Sequence, residues 1–289
     1  MTKIMTLILL LGSLMNTSLA QGLYFKAGGG YAIPMATQVI GEKTVQTQDY
    51  SNSQSKNDIT TEAISGSFGA GTNFLVGGGF MFNENLGVEL NVQFNQSKKY
   101  ETGDVYTYKS DSYSGTDRTL TQNFSNSLYI NPSFIITPGA GTKVPYGRFG
   151  VVVGSAKLKQ EESSYYDLDG VSTSSRKWEY KGGVALGFQG AVGMNWMLSD
   201  KIDLFTEVNF ISMTYYAEES IKTEDRYNDY DNLPDQTVSQ KQTVYKKEVD
   251  PNRQQDPTKP TEVLREASAF SSLSLQVGIV FLLNGHGEN

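Results

Sequence analysis

The 289-residue chain has no cysteine, one histidine, eight prolines and two tryptophans. Without cysteine there is neither a disulfide framework nor thiolate chemistry. The single imidazole, His286, sits close to the C-terminus, so no Ser-His or Asp-His pair can be assembled on the body of the chain, and the sequence reads as non-enzymatic. A carboxylate-only hydrolase is the enzymatic class left, and abundance of Asp and Glu is not geometry. Basic residues are few, 24 against 31 acidic, for a net charge of −7, which argues against nucleic acid as a partner. No stretch approaches the roughly 20 continuous apolar residues that a helical membrane span needs. Any crossing of a membrane must therefore be made by strands.

What the chain does have is 17 Tyr, 14 Phe and 29 Gly, and alternation in place of helical spacing. From Phe270 to Leu283, Leu273, Leu275, Val277, Ile279 and Phe281 share one face of an extended strand. Ser274, Gln276 and Gly278 share the other. The small polar face suits a narrow lumen and the apolar face suits lipid. The same pattern predicts strands over Gly22–Ile33, Asn73–Phe82, Leu86–Asn95, Ser125–Thr137, Val144–Lys157, Trp178–Leu198 and Ile202–Tyr216. Short turns at 83–85, 138–142 and 199–201 alternate with four long polar connections. Pro132, inside a predicted strand, removes a ladder hydrogen bond and predicts a bulge or local irregularity. The N-terminus, with Lys3, an apolar run from Ile4 to Leu11 and Ser18-Leu19-Ala20, has the layout of a cleavable export signal over residues 1–20.

Strands of this number and bias predict an all-β fold: an eight-stranded antiparallel up-and-down transmembrane β-barrel over 21–283, with short periplasmic turns and long extracellular loops. Residues 284–289 would be a periplasmic tail. In this arrangement Lys26, Glu89, Arg148 and Glu207 lie four to six residues beyond the periplasmic ends of the four upward strands and share one lumenal layer. They form either a buried ionic plug or four separately wetted charges. Aromatic residues near strand ends suit two interfacial girdles: Phe82, Trp196 and Phe281 at the periplasmic side, and Tyr31, Phe94, Phe210 and Phe270 at the outer side.

The terminal pattern of Gln276, Gly278, Phe281 and Leu283, with the strand–turn–strand signature around Asn83, resembles the small eight-stranded outer-membrane barrels. That family includes the outer-membrane-protein A transmembrane domain and its outer-membrane-protein W and X relatives. The resemblance covers about Gln21 to Leu283. It implies a Gram-negative outer-membrane location, lumenal ion pairs, and contact with outer-membrane lipid, lipopolysaccharide and the barrel assembly machinery. The peptidoglycan-binding domain of the first relative has no counterpart in residues 284–289, so cell-wall anchoring is not carried over. No cofactor and no metal are expected. Asp167-Leu168-Asp169-Gly170 and the run from Asp225 to Asp235 hold closely spaced carboxylates but do not complete a twelve-residue calcium loop. Gly28-Gly29-Gly30 and Gly77-Gly78-Gly79 are followed by no helix and are not phosphate loops.

Ten tyrosines fall in the predicted loops: Tyr50, Tyr100, Tyr106, Tyr108, Tyr113, Tyr165, Tyr166, Tyr227, Tyr230 and Tyr245. They suit recognition of an unknown extracellular ligand or, equally, pairing with one another across hairpins. The fourth connection, Ala217 to Glu266, holds 12 acidic and 8 basic residues and so presents no field of one sign. The expected role is structural and envelope-stabilising, with surface recognition through the loops. The alternative is a small-solute porin or transporter of hydrophilic or apolar molecules. Deleting Phe281 onward should abolish insertion, as read by loss of heat-modifiable migration in membrane fractions; a truncated chain that still reaches the membrane folded would remove the assembly role from this segment.

Overall fold

The structure is a computed structural model that describes residues 22–51, 55–139, 141–167 and 171–284. The export-signal segment and His286 lie outside the described residues. The strands are β1 (Leu23–Pro34), β2 (Gln38–Asp49), β3 (Lys56–Gly66), β4 (Gly71–Met81), β5 (Leu86–Ser97), β6 (Tyr100–Lys109), β7 (Ser114–Ile136), β8 (Lys143–Tyr166), β9 (Ser172–Lys181), β10 (Ala185–Ser199), β11 (Ile202–Tyr216), β12 (Glu219–Tyr227), β13 (Tyr230–Asp231), β14 (Gln242–Lys246), β15 (Thr261–Leu264), β16 (Ala267–Ala269) and β17 (Ser272–Leu282). One helical turn, α1 (Val238–Lys241), interrupts them.

Antiparallel pairing runs β1–β4–β5–β7–β8–β10–β11–β17 and returns from β17 to β1. The ring closes because β1 and β17 pair along their full length, from Tyr24 with Leu282 to Pro34 with Ser272. A closed ring leaves these strands no free edge. Burial alternates along each strand, as period two requires. Phe25, Val76, Leu90, Phe134, Val151 and Phe188 are exposed on the outer face, Phe188 by 70%. The inner face of β5 is Glu89, Asn91, Gln93, Asn95 and Ser97, all buried. At the short-turn end the backbone is tied by bonds such as Leu283 N–H to Leu23 O and Met197 N–H to Thr142 O.

At the other end the segments expected to be loops are sheet. β6 and the upper part of β7 pair, as do the upper part of β8 and β9, and β9 continues to β12. β2 pairs with β6 in parallel because each prolongs an upward strand, β1 and β5 respectively. These strands carried no alternation signal because both faces of Thr, Ser, Tyr and charged residues meet water, so neither face needs to be apolar. The tyrosines follow suit: Tyr108 stacks on Tyr113 with ring centroids 5.3 Å apart and meets Tyr106 in a tilted contact at 5.7 Å, while Tyr100 turns inward and is buried.

Two expectations are corrected in detail, and a third, at Pro132, is met by a local irregularity in place of a bulge. The predicted strand Trp178–Leu198 is two strands, broken at Gly182 and Gly183, whose φ values of +81° and +73° belong to the left-handed region. Trp178 therefore belongs to β9 in the outer sheet. The last strand begins at Ser272, and Phe270 is not on the outer face: it is fully buried, 5.7 Å from the Phe68 ring and 5.6 Å from Tyr215. At Pro132 the register is unchanged, with no bulge, but the β7–β8 ladder lapses between the pairs Ile130–Val153 and Ser133–Gly150. The β5 side of the same strand stays paired through Leu90–Pro132. The missing N–H thus opens one seam only.

The connection from β3 to β4, Ser67 to Ala70, folds into the mouth of the ring and is buried throughout. Tyr100 holds it by donating from its hydroxyl to Ser67 O and accepting from Ser67 N–H. Phe68 N–H bonds Ala269 O, and Asn95 and Ser125 donate to Phe68 O. A Cβ on Gly69 would meet Phe270 O at 2.1 Å, so only glycine fits there. Phe68, Tyr100, Tyr129, Met213, Tyr215 and Phe270 belong to one apolar cluster across the lumen.

Candidate lumenal ion-pair site

Period-two alternation sends Lys26 of β1, Glu89 of β5, Arg148 of β8 and Glu207 of β11 to the inner face, and these are every second strand around the ring. At that level the strands between contribute several small inward residues beside the larger Ile135, Gln276 and Val280. Gly79 and Ser133 pair with Glu89, and Ala191 pairs with Arg148, while Gly193 pairs with Glu207. Long charged side chains can then meet at the axis.

They form an alternating ring. Lys26 Nζ lies 3.4 Å from Glu89 Oε1 and 3.2 Å from Glu207 Oε2. The Arg148 guanidinium spans the same two carboxylates, Nη1 at 3.0 Å from Glu89 Oε1 and Nη2 at 2.5 Å from Glu207 Oε1. All four side chains are at most 2% exposed, and their formal charges sum to zero. Arginine suits the bridging place because its planar fork reaches two carboxylates at once.

Each carboxylate takes further neutral donors: Tyr24 and Asn91 donate to Glu89 at 2.8 and 2.5 Å, and Tyr146 donates to Glu207 at 2.9 Å. Lys26 also stands 4.5 Å over the Phe205 ring. These neighbours were not singled out from the sequence, yet a signal was there. Tyr24, Tyr146 and Phe205 each precede a layer charge by two residues, which is the inward period of a strand. Glycine makes room for the rings: a Cβ on Gly79 would lie 2.3 Å from the Tyr24 ring, and one on Gly193 2.5 Å from Tyr146. Charges desolvated this fully are tolerable only with paired geometry and satisfied lone pairs.

Between this layer and the apolar cluster at the mouth the inner face is lined by carboxamides. Asn73, Asn91, Asn95, Asn131, Asn209 and Gln276 are buried, and Gln276 Nε2 donates to Asn73 Oδ1 at 2.9 Å. Gln276 and Gly278, expected in the assembly signal, therefore face inward, Gly278 so close to Ala27 O that a Cβ would stand 2.1 Å away. Phe281 and Leu283 are exposed. Of the expected girdle, Phe82, Tyr31, Phe94 and Phe210 are exposed on the outer face, and Trp196 is half-buried beneath Lys143, whose Nζ is 5.4 Å from the ring centroid. Phe270 is the exception described above.

Among the described residues no group of His, Cys, Asp and Glu could hold a metal ion. Asp225 is instead engaged by Lys222 at 2.8 Å and Gln236 at 2.6 Å, and Asp235 accepts from Tyr230. Leu168, Asp169 and Gly170 lie outside the described residues.

The family model for the outer membrane protein beta-barrel domain matches residues 5–238. The chain belongs to this family of outer-membrane β-barrel proteins. The match ends before β17, the strand that closes the ring. Among solved structures, the outer membrane protein OprG of Pseudomonas aeruginosa aligns at 12% identity over 90% of this chain and 95% of its own, with a TM-score of 0.41, a likeness too loose to carry anything further. No curated protein matches the sequence.

Arg148→Leu should lower the free energy of unfolding by about 3–5 kcal/mol, since it leaves two buried carboxylates sharing Lys26. Arg148→Lys should lose less. Urea unfolding of detergent-folded protein, followed by the gel-mobility shift, measures both; an unchanged Arg148→Leu midpoint would contradict the paired layer.

Proposed function

We propose that this chain is an eight-stranded transmembrane barrel of a Gram-negative outer membrane, exported by its N-terminal signal, with a plugged lumen. On this reading it is non-enzymatic. It stabilises the envelope and presents its outer sheet for recognition. The observation that carries the reading is the ion layer, which fills the axis of an eight-strand ring with neutralised, fully desolvated side chains. A ring of this size is about wide enough to be filled by its own side chains. The apolar cluster around Phe68 is a second closure nearer the mouth. Membrane placement is supported by the continuous outer band of exposed Phe, Leu, Ile and Val, too large an apolar surface to leave in water. Phe281 and Leu283, outward on the last strand, remain available to the assembly machinery, and the outer band to lipid and lipopolysaccharide.

One observation favours the alternative, passage of apolar solutes. The β7–β8 seam that lapses at Pro132 lies against an apolar groove of about 770 Å³ that includes Leu90, Pro132, Phe134 and Phe149. A solute could pass sideways there without crossing the ion layer.

Planar bilayers containing the purified protein test the plug. The plugged reading expects no stable open-channel steps, and reproducible steps would overturn it. If the seam conducts apolar solutes, Pro132→Ala, which restores the missing donor, should slow dye uptake into proteoliposomes; the plugged reading expects no difference.

A further inference from the structure

Beside the apolar cluster at the mouth, the outer sheet forms a partly open cavity of about 210 Å³. Its floor is the outer side of Phe68 together with Leu158. One wall is the stacked pair Tyr180 and Tyr245, with ring centroids 6.2 Å apart and planes at 27°. These rings are held in place by their hydroxyls: Tyr180 donates to Gln160 Oε1 at 2.6 Å, and Tyr245 shares a 3.0 Å bond with Ser220. Burial foremost, with Tyr245 and the Glu266 carboxylate nearby, pushes the Tyr180 hydroxyl up to about 12, so it stays a donor at neutral pH. Opposite, β2 carries a bulge between Val39 and Gly41 that leaves Ile40 unpaired and aims it at the cluster. Bulges recur where a strand must re-aim a side chain beside a site.

The polar complement of this cavity is mixed. Asn123 makes no side-chain hydrogen bond among the described residues, and Glu266 has no ion-pair partner among them. Lys159 also lines the cavity, 3.5 Å from Glu179. One charge of each sign at the rim does not select for a charged ligand. Fixed aromatic faces suit a flat apolar face, and the carboxamides with Glu266 and Lys159 supply acceptors and donors for hydroxyls. The volume is below the roughly 300–1,000 Å³ of sites for drug-sized ligands, which fits one unit of a longer chain rather than a large rigid molecule.

We propose that this cavity binds one neutral sugar residue of a saccharide, its C–H face against the Tyr245 ring and its hydroxyls on Asn123, Gln160 and Glu266. This rests on the surface-recognition reading above and names its ligand class. The sugar could come from the outer membrane's own lipopolysaccharide or from a glycan outside the cell.

The test uses the full chain folded in nanodiscs, with folding checked first by heat-modifiable migration. The probes are delipidated oligosaccharide from lipopolysaccharide and an array of neutral glycans. Binding to either set, weakened about tenfold by Tyr245→Ala and less by Tyr180→Phe, which keeps the ring and removes its hydroxyl anchor, supports the site, and the set that binds identifies the source. A folded protein that binds no saccharide overturns the proposal. So does saccharide binding indifferent to Tyr245→Ala, although that result leaves loop recognition standing elsewhere. Binding of glycine or tetramethylammonium that Tyr245→Ala abolishes, with no saccharide bound, also overturns it.

Discussion

Four charges held almost entirely out of water impose the main constraint on this fold. An isolated carboxylate or ammonium carries a desolvation penalty of several kcal/mol even after relaxation, so none of Lys26, Glu89, Arg148 and Glu207 could occupy its place alone. Together they sum to zero, and each finds two opposite charges within 3.4 Å. That arrangement requires strands β1, β5, β8 and β11 to face one axis at one height. It therefore requires a closed ring with a fixed stagger. Slipping any one strand by a single residue would turn its charge to the outer face, where lipid makes a charge costly by roughly 2–4 kcal/mol near midplane. The layer thus specifies register as well as filling space.

Closure and filling depend on each other through the intervening strands. Gly79, Ser133, Ala191, Gly193 and Gly278 keep alternate strands small inside, and Tyr24, Tyr146 and Phe205 use the space so made. At the mouth a different device is used: a four-residue connection, Ser67 to Ala70, is folded inward and tied by Tyr100 and Ala269. The lumen therefore holds an ionic layer and an apolar one, with carboxamides between. The cavity lined by Tyr180 and Tyr245 shares Phe68 and Leu158 with the apolar layer.

The ring strands were legible wherever one face meets an apolar phase and the other does not. Leu86 to Asn95 is the clearest case, and its inner residues Glu89, Asn91, Gln93 and Asn95 all face the axis. The ion layer was legible for the same reason, since position along an upward strand and parity of residue number are enough to place Glu89 and Glu207 together. What the sequence did not reveal lies where that contrast vanishes. The hairpin of β6 and β7 carries polar groups on both sides, so alternation is silent. The folding of Phe68 into the mouth depends on Gly69 approaching Phe270 O, a contact between residues about 200 apart in sequence. Phe270 was placed among the outer-side aromatics for its position near the end of the last strand, although its parity is that of Ser274, Gln276 and Gly278 on the inner face, and it is buried as Ser274 and Gln276 are.

The central claim is that the lumenal charges act as one coupled unit. A double-mutant cycle between Arg148 and Glu207, using Arg148→Leu and Glu207→Gln in reversible urea unfolding of the folded barrel, measures the coupling directly. The account predicts an interaction energy above about 1.5 kcal/mol, little changed between low and high salt because the pair is buried. Additivity within about 0.5 kcal/mol would contradict it and leave four charges that happen to share a lumen.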